Sequence, residues 1–486
     1  MNKTKIIATL GPGTQTEEKI IALIHAGMNV ARINLSHGDR HSHANFIELV
    51  KRSRESVGAD TAILLDTRGP EIRVNELESP LELRRGERLT IAADHGTCSD
   101  DQIGVNYPGL ADDVEQGNRI LLDDGKLVLE VENITDGDIV CRVLAGGTLS
   151  SRKRVSLPGC DVNLPSLSDD DERDIVFGVE QGVDFIAASF VRKASDVFAI
   201  RDVIAKNNGN QAIIAKIENR QGVVNLEQIL AAVDGLMVAR GDLGVEMPAE
   251  EVPIIQKRII RAANLVGKPV ITATQMLESM ITSPSPTRAE ASDVTNAIFD
   301  GTDAVMLSAE TAVGAYPVQA IEFLVRCAKI SEGSLDHAAI LTGSIGYRRP
   351  TITDSISYAC CATAADLGAA AIITSTTSGA TSRMVARHKP KAPVIAVCSS
   401  MAILRQLQLT RGIITVISDH VSTMDELLKN AIQTSRQAKL IKKGDLVVIS
   451  AGVPGGTTGT TNMLKVHRVT DDRFVGQQPE SPSDPA

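Results

Sequence analysis

The sequence predicts a mixed α/β protein: a (β/α)8 barrel interrupted by a small inserted β-barrel domain and followed by a separate open α/β sheet. Three observations carry this. Short apolar segments recur along the first two thirds, each preceded by a helix-like stretch and a glycine. One interval, from Gly69 to about Ser168, is far longer than the others and alternates with period two. After about Ser344 a second α/β pattern begins.

Taken in order, the first strand is Lys5 to Leu10. Gly27 then precedes Met28 to Leu35, Gly58 precedes Ala62 to Asp66, and Gly182 precedes Phe185 to Phe190. Gly209, Gly235, Gly267 and Gly301 continue the series, as expected where helix C-caps turn into the next strand. Eight strand–helix units result, with the continuous Val, Ile, Leu and Ala character of strands buried on both faces. In a (β/α)8 barrel the active site is built at the C-terminal strand ends.

The long interval carries hairpin signals at Asp123-Asp124-Gly125 and Thr135-Asp136-Gly137. Sprouting from the catalytic face, it is placed to close as a lid and exclude water. The last pattern has strands Ala371 to Ile373, Val394 to Val397, Ile413 to Ile417 and Leu446 to Ile449. The expected domains are therefore 1–69 with 169–344 (barrel), 70–168 (lid) and 345–470 (C-terminal α/β domain). A Pro-, Ser- and Gln-rich tail, 471–486, is expected to be disordered.

The chain has 486 residues and a net charge of −10, with no Trp, four Tyr and eight Phe. Scarce aromatics and an acidic balance argue against nucleic-acid binding. Any anionic substrate must be drawn in by local cations or metal. Seven cysteines without a CxxC spacing fit buried or incidental thiols in a reducing cytosol. No signal segment or membrane-spanning run is apparent, so a cytoplasmic location is expected.

Chemistry is concentrated at the strand ends. Lys216-Ile217-Glu218-Asn219 places Lys216 and Glu218 on one strand face, and Ala239-Arg240-Gly241-Asp242 ends the next strand. An amine and two carboxylates at one end suit a divalent cation beside anionic chemistry, although a surface ion-pair cluster is the commoner fate of such charges. Arg32, Asn34 and Ser36 alternate with apolar neighbours in the second strand. The third ends in Asp66-Thr67, followed by Glu71 and Arg73. Oxygen ligands without nitrogen or sulfur suit a hard cation. Thr272 and Thr274 repeat the i, i+2 pattern in the seventh strand, and Thr274 could donate or relay a proton.

Together these groups meet the needs of phosphoryl transfer, in which the work is charge neutralisation and positioning. One cation about 4 Å from a phosphoryl oxygen contributes roughly 4 kcal/mol of Coulomb energy at an effective dielectric of about 20, before desolvation. Neither a Walker A sequence nor a protein-kinase Gly-rich loop is present, so side chains and metals must hold the phosphate.

At these same positions the chain resembles the pyruvate kinase family. The resemblance rests on KIIATLGP from Lys5, NVARINLSHG from Asn29, LDTRGPEIR from Leu65, KIEN from Lys216, MVARGDLGVE from Met237, TATQMLESM from Thr272 and Pro286 to Pro317. It covers nearly the whole chain, in order. It implies transfer of the phosphoryl group of phosphoenolpyruvate to ADP, giving pyruvate and ATP, in an allosteric homotetramer.

Position by position, the resemblance implies that Arg32 binds the phosphoryl group and Lys216 stabilises its charge. Glu218 and Asp242 would hold Mg2+ (or Mn2+), while the Gly241 and Asp242 N–H groups take the substrate carboxylate. Thr274 would sit near the carbon that is protonated. Asn34, Ser36, Asp66 and Thr67 match K+ ligands, and Glu71 matches K+-dependent members. Arg73, Lys153, His37 and Asn34 would contact the nucleotide.

Two segments depart from the family pattern. Ala309 and Val313 stand where many members show Gly and Lys. In the loop Thr376, Thr377, Ser378, Gly379, Ala380, Thr381 and Ser382, Thr377 and Ala380 stand where fructose 1,6-bisphosphate-activated members carry basic residues. The loop opens a helix, so a sugar-phosphate or nucleotide effector is expected there without its usual cation. No appended phosphotransfer domain is expected after Val469. The competing readings are a metal-dependent aldolase or lyase, which needs no nucleotide site, and a catalytically inert phosphosugar sensor.

Overall fold

The computed structural model describes residues 2–92, 101–343, 345–347, 351–419, 423–452 and 461–470. The expected disordered tail and Cys98 lie outside them. Eight strands of four to six residues form a closed, all-parallel barrel: β1 (Lys5–Thr9), β2 (Val30–Asn34), β3 (Ala62–Asp66), β4 (Phe185–Ala188), β5 (Ala212–Ile217), β6 (Gly235–Ala239), β7 (Val270–Ala273) and β8 (Ala304–Leu307). Each pairs with its successor in the chain, and β1 pairs with β8 to close the ring.

The strands are apolar throughout because inner and outer faces are both covered. β1, β3 and β6 are buried at every residue. Helices pack outside, as with Glu17–Ala26, whose Ile20 and Leu23 are fully buried. Each such side chain contributes about 1.5–3 kcal/mol when withdrawn from water. Punctuation by glycine follows the expected pattern at Gly301, a left-handed C-cap (φ 99°). Gly235 differs: it opens β6 itself. A Cβ there would meet the Pro269 carbonyl at 2.9 Å, so its smallness serves strand packing rather than helix termination.

The insert leaves the barrel after β3. Its seven-stranded sheet runs Ile72–Arg73, Arg154–Ser156, Arg119–Leu122, Leu127–Thr135, Asp138–Ala145, Arg88–Ile91, Gln102–Ile103. An antiparallel bridge between Val74 and Val105 joins its two edges, closing the expected small barrel. Asp136 and Gly137 both have positive φ (54° and 88°), as a type I′ hairpin turn requires. The insert has its own core, including Leu89, Val131 and Cys141.

Both crossings between insert and barrel meet at buried Asp171. Its Oδ1 accepts the Gly69 N–H at 2.8 Å, and its Oδ2 accepts the Ser168 hydroxyl at 2.6 Å. Gly69 has φ 76°, and a Cβ on it would lie 2.7 Å from the Ser189 Cβ and 2.8 Å from the Phe190 ring.

The chain divides into two compact units, Met1–Ser334 and Leu335–Ala486. The second is built on a five-stranded sheet. Strands β9 (Ala371–Thr376), β10 (Val394–Cys398), β11 (Ile413–Ile417), β12 (Leu446–Gly452) and β13 (Thr461–Arg468) lie in the order β11-β10-β9-β12-β13, with β13 antiparallel. β13 escapes the sequence pattern because it is an edge strand with mostly half-buried side chains. Helix His337–Gly343, which the sequence reading assigns to the barrel, belongs to this second unit: the His337 ring hydrogen-bonds the Lys389 carbonyl at 2.8 Å. The six cysteines among the described residues are free.

Candidate active site

The polar residues converge where the strand register puts them, at the C-terminal ends of β1 to β5. Arg32, at the end of β2, donates from Nε to Asp66 Oδ2 at 2.7 Å and from Nη1 to Thr9 Oγ1 at 2.9 Å. Lys216, on β5, lies 3.1 Å from Asp66 Oδ1 and 2.9 Å from Glu218 Oε1, and donates to Ser189 Oγ at 2.7 Å. One buried carboxylate thus fixes two cations. Burial pushes Asp66 upward, but Lys216 and Arg32 outweigh it and hold the carboxyl below its ordinary range. Burial also opposes charge on Lys216, yet Asp66, Glu218 and Asp242 raise its pKa overall, so the ammonium stays protonated.

Glu218 is fully buried. Burial is the largest influence on its carboxyl and, with help from Asp242, pushes it up to about 7 against the pull of Lys216. Its Oε2 accepts the Phe190 N–H at 2.7 Å. Oε1 is close to Lys216 Nζ but outside hydrogen-bonding alignment, so it keeps an uncommitted buried lone pair aimed into the site. Asp242, in the short helix Arg240–Glu246 after β6, is close enough to act on both Lys216 and Glu218. Among the described residues no group of three or more His, Cys, Asp or Glu is placed to hold a metal. The available donor set is two carboxylates, all oxygen.

The oxygens of Asn34, Ser36, Asp66 and Thr67 stand at the neighbouring ends of β2 and β3. Asn34 Oδ1 accepts the Ser36 N–H at 3.1 Å, and Thr67 is nearly buried, with its hydroxyl 3.3 Å from the Ala187 carbonyl. The set contains no nitrogen or sulfur donor, which suits a hard cation.

Thr274 follows β7 at φ 66°, a left-handed conformation rare for a β-branched residue. Its hydroxyl donates to the Ala273 carbonyl at 2.7 Å and accepts the Gly241 N–H at 2.8 Å. Arg240, paired with Asp293, donates to the Thr274 carbonyl at 2.6 Å and secures the turn. In this structure the Gly241 N–H is engaged by Thr274, while Asp242 stands in the first helical turn, where N–H groups lack intrahelical acceptors.

The insert's two expected cations are engaged by neighbours within the insert. Arg73 pairs with Glu71 and donates to the Arg152 carbonyl at 2.8 Å, while Lys153 pairs with Asp123 at 2.7 Å. His37 is exposed on the turn after β2. The residue that reaches the barrel is Arg154, ion-paired with Asp242 Oδ1. Sequence reasoning missed it, along with Ser189, Thr9 and Phe190. Ser189 had a signal, lying just past β4, whereas the φ of 54° at Phe190 had none.

In the second unit, the loop after β9 leads into a seven-residue helix, Ala380–Ala386. The Thr376 hydroxyl accepts the Gly379 N–H at 2.9 Å, Thr381 bonds Thr461 at 2.8 Å, and Ser382 bonds Thr374 at 2.8 Å. Thr377 is exposed, the half-buried Ser378 accepts the Ala380 N–H on its hydroxyl at 3.4 Å, and Arg383 donates to the Ser378 carbonyl at 2.9 Å.

A parallel barrel with a lysine, an arginine and two carboxylates at its strand ends, under a β insert, is the layout of a phosphotransferase. The comparisons narrow this. The family model for the pyruvate kinase barrel domain matches residues 1–321, and that for the pyruvate kinase alpha/beta domain matches 354–467. A pyruvate kinase from Geobacillus stearothermophilus is 52% identical over 98% of this chain and 82% of its own length. One from Clostridium acetobutylicum is 47% identical over 96% of this chain and 100% of its own. The crystal structure of a pyruvate kinase from Cryptosporidium parvum superposes with a TM-score of 0.91 at 39% identity, covering 96% of each chain. The chain belongs to the pyruvate kinase family, with its activity: phosphoryl transfer from phosphoenolpyruvate to ADP, giving pyruvate and ATP.

Proposed function

We propose that the reaction runs at the Lys216 cluster, and the observation that carries this is the triple contact of Lys216 with Asp66, Glu218 and Ser189. Glu218 and Asp242 would hold Mg2+ or Mn2+, and the uncommitted Glu218 Oε1 fits that role. Bound there, the divalent ion supplies charge neutralisation at the phosphoryl and enolate oxygens. Substrate or water oxygens complete its shell, as suits a cation that dehydrates reluctantly.

Arg32, locked by Asp66 and Thr9, binds the phosphoryl group of phosphoenolpyruvate. Lys216 faces the charge that develops during transfer and needs no rearrangement to do so, because its three partners already orient it. The Gly241 and Asp242 N–H groups take the substrate carboxylate, which requires Gly241 to exchange the Thr274 hydroxyl for it. Thr274, held in its strained turn, presents its hydroxyl near the carbon of the enolate and positions the proton donor there. Asn34, Ser36, Asp66 and Thr67 would hold K+, whose charge supplements Arg32. Arg73, Lys153, His37 and Asn34 serve the nucleotide, which requires Arg73 and Lys153 to exchange Glu71 and Asp123 for phosphate. A homotetramer, an anionic sugar-phosphate or nucleotide effector meeting Thr377 and Ser378, and a cytoplasmic location complete this reading. Among the described residues no helix is long and apolar enough to cross a membrane.

The test is ADP-dependent pyruvate release from phosphoenolpyruvate, with Mg2+ and K+ omitted in turn. Unchanged rates without K+ would remove the assignment of Asn34, Ser36, Asp66 and Thr67. Pyruvate release without ADP would mean that water takes the phosphoryl group, pointing to a phosphatase instead, and no pyruvate release under any condition would leave the aldolase or lyase reading.

A further inference from the structure

Arg154 opens the insert strand Arg154–Ser156 and reaches a carboxylate of the barrel. Its side chain is only 11% exposed and its guanidinium pairs with Asp242 Oδ1. The same guanidinium lies 4.6 Å from the centre of the Phe190 ring. Phe190 in turn donates its N–H to Glu218 Oε2. One positive charge from the insert therefore covers one carboxylate of the pair and packs on the residue that anchors the other.

Strand alternation explains why Arg154 makes this contact and Lys153 does not. Val155 points into the insert's core, so Arg154 and Ser156 face the barrel. Ser156 lines the same cleft as Glu246, four residues after Asp242 on the same helix. The insert thus docks on helix Arg240–Glu246 through Arg154, with Ser156 on the same strand face. The cleft beside them, lined by Arg154, Ser156, Phe190, Asn219 and Glu246, holds about 90 Å3. That is room for a few waters.

We propose that Arg154 is a displaceable internal counter-ion: it occupies Asp242 in competition with the divalent cation, and metal binding releases both Arg154 and the docked insert. This rests on the assignment of the cation to Glu218 and Asp242. A guanidinium and a divalent cation on the one Asp242 carboxylate are like charges at close range and share its negative charge, so each weakens the other, and the coupling is reciprocal by linkage. Arg154 is in this sense a positioning residue, acting on the reaction through Asp242 and the insert.

The test is Mn2+ binding to the full chain without substrates, read as loss of the free Mn2+ paramagnetic resonance signal. Arg154→Gln and Arg154→Ala are expected to bind Mn2+ about tenfold tighter than the parent, with Arg154→Lys in between. Mn2+ should also speed hydrogen exchange at Arg154–Ser156 in the parent, whereas in Arg154→Ala exchange is already fast and unresponsive. Unchanged or weaker Mn2+ affinity in both the Gln and Ala variants overturns the proposal. Asp242→Asn separates the two levels. If it leaves Mn2+ binding intact, the metal assignment fails and takes the proposal with it. If it weakens binding while the Arg154 variants match the parent, only the counter-ion role is lost.

Discussion

Lys216 and Lys5 are two buried lysines with opposite fates, and their neighbours decide which. Lys216 faces three carboxylates and stays charged, so Lys216→Met should lower kcat at least 100-fold, the scale of losing one preorganised charge in a dry site. A loss of tenfold or less in steady-state kinetics would remove its proposed role. Lys5 is pulled down to about 8 by burial, with Glu332 and Asp303 only partly opposing. Its unfolded value is 10.5, so between about pH 8 and 10.5 the unfolded chain binds the extra proton and unfolding free energy rises with pH. The slope approaches 1.4 kcal/mol per pH unit at most, roughly, and Lys5→Met should abolish it in urea titrations compared at pH 8 and pH 10. At this scale the sequence was informative wherever alternation alone fixes direction. Lys216 and Glu218 are two apart on a strand and do meet. Thr274 was legible as a strand-end hydroxyl, but its left-handed backbone, which aims the hydroxyl at the Gly241 N–H, depends on Arg240 and Asp293 and leaves no trace in local pattern.

Among elements, the junction after β3 sets the geometry of both neighbours. Gly69 touches Ser189 and Phe190, which in turn hold Lys216 and Glu218. Gly69→Ala adds a Cβ inside contact distance at a positive φ. We expect a cost of about 1–3 kcal/mol in chemical unfolding and a fall in activity larger than that of a surface Gly→Ala control such as Gly86→Ala, where nothing lies within 4 Å. Gly86 also has a positive φ, so equal effects at the two positions would show that the close contacts at Gly69 add nothing to the backbone strain. The same scale explains which contacts the sequence does not show. Lys153 and Arg154 are adjacent cations, and the sequence does not reveal which is inward. That follows from Val155 entering the insert's core, a tertiary fact. The loop Thr376 to Ser382 looked like a row of free hydroxyls because Thr374 and Thr461, which take up Ser382 and Thr381, are distant in sequence or hidden in a strand. β13 was missed for a related reason, since an edge strand need not alternate cleanly.

For the molecule as a whole, eight units of the barrel were readable because burial on both faces forces a continuous apolar strand, and the insert was readable because its period changes to two. The relation between these bodies was not, since it depends on a few contacts: Gly69 and Ser168 on Asp171, and Arg154 on Asp242. Asp171 gathers the entry and exit of the insert to a single carboxylate, so the two ends are close enough to be joined directly. Among the described residues, the fully buried core of the barrel draws nothing from 70–166, its nearest contribution being half-buried Leu167. Replacing 70–166 with a short Gly-Ser bridge should therefore leave a barrel that still melts cooperatively by circular dichroism, while phosphoryl transfer is lost. A non-cooperative or unfolded product would show that the insert is needed for folding. If the barrel survives, the Gly69–Asp171 junction becomes a grafting socket: the scaffold can exchange one covering module for another, and nucleotide choice can be re-engineered without touching the strands that carry the chemistry.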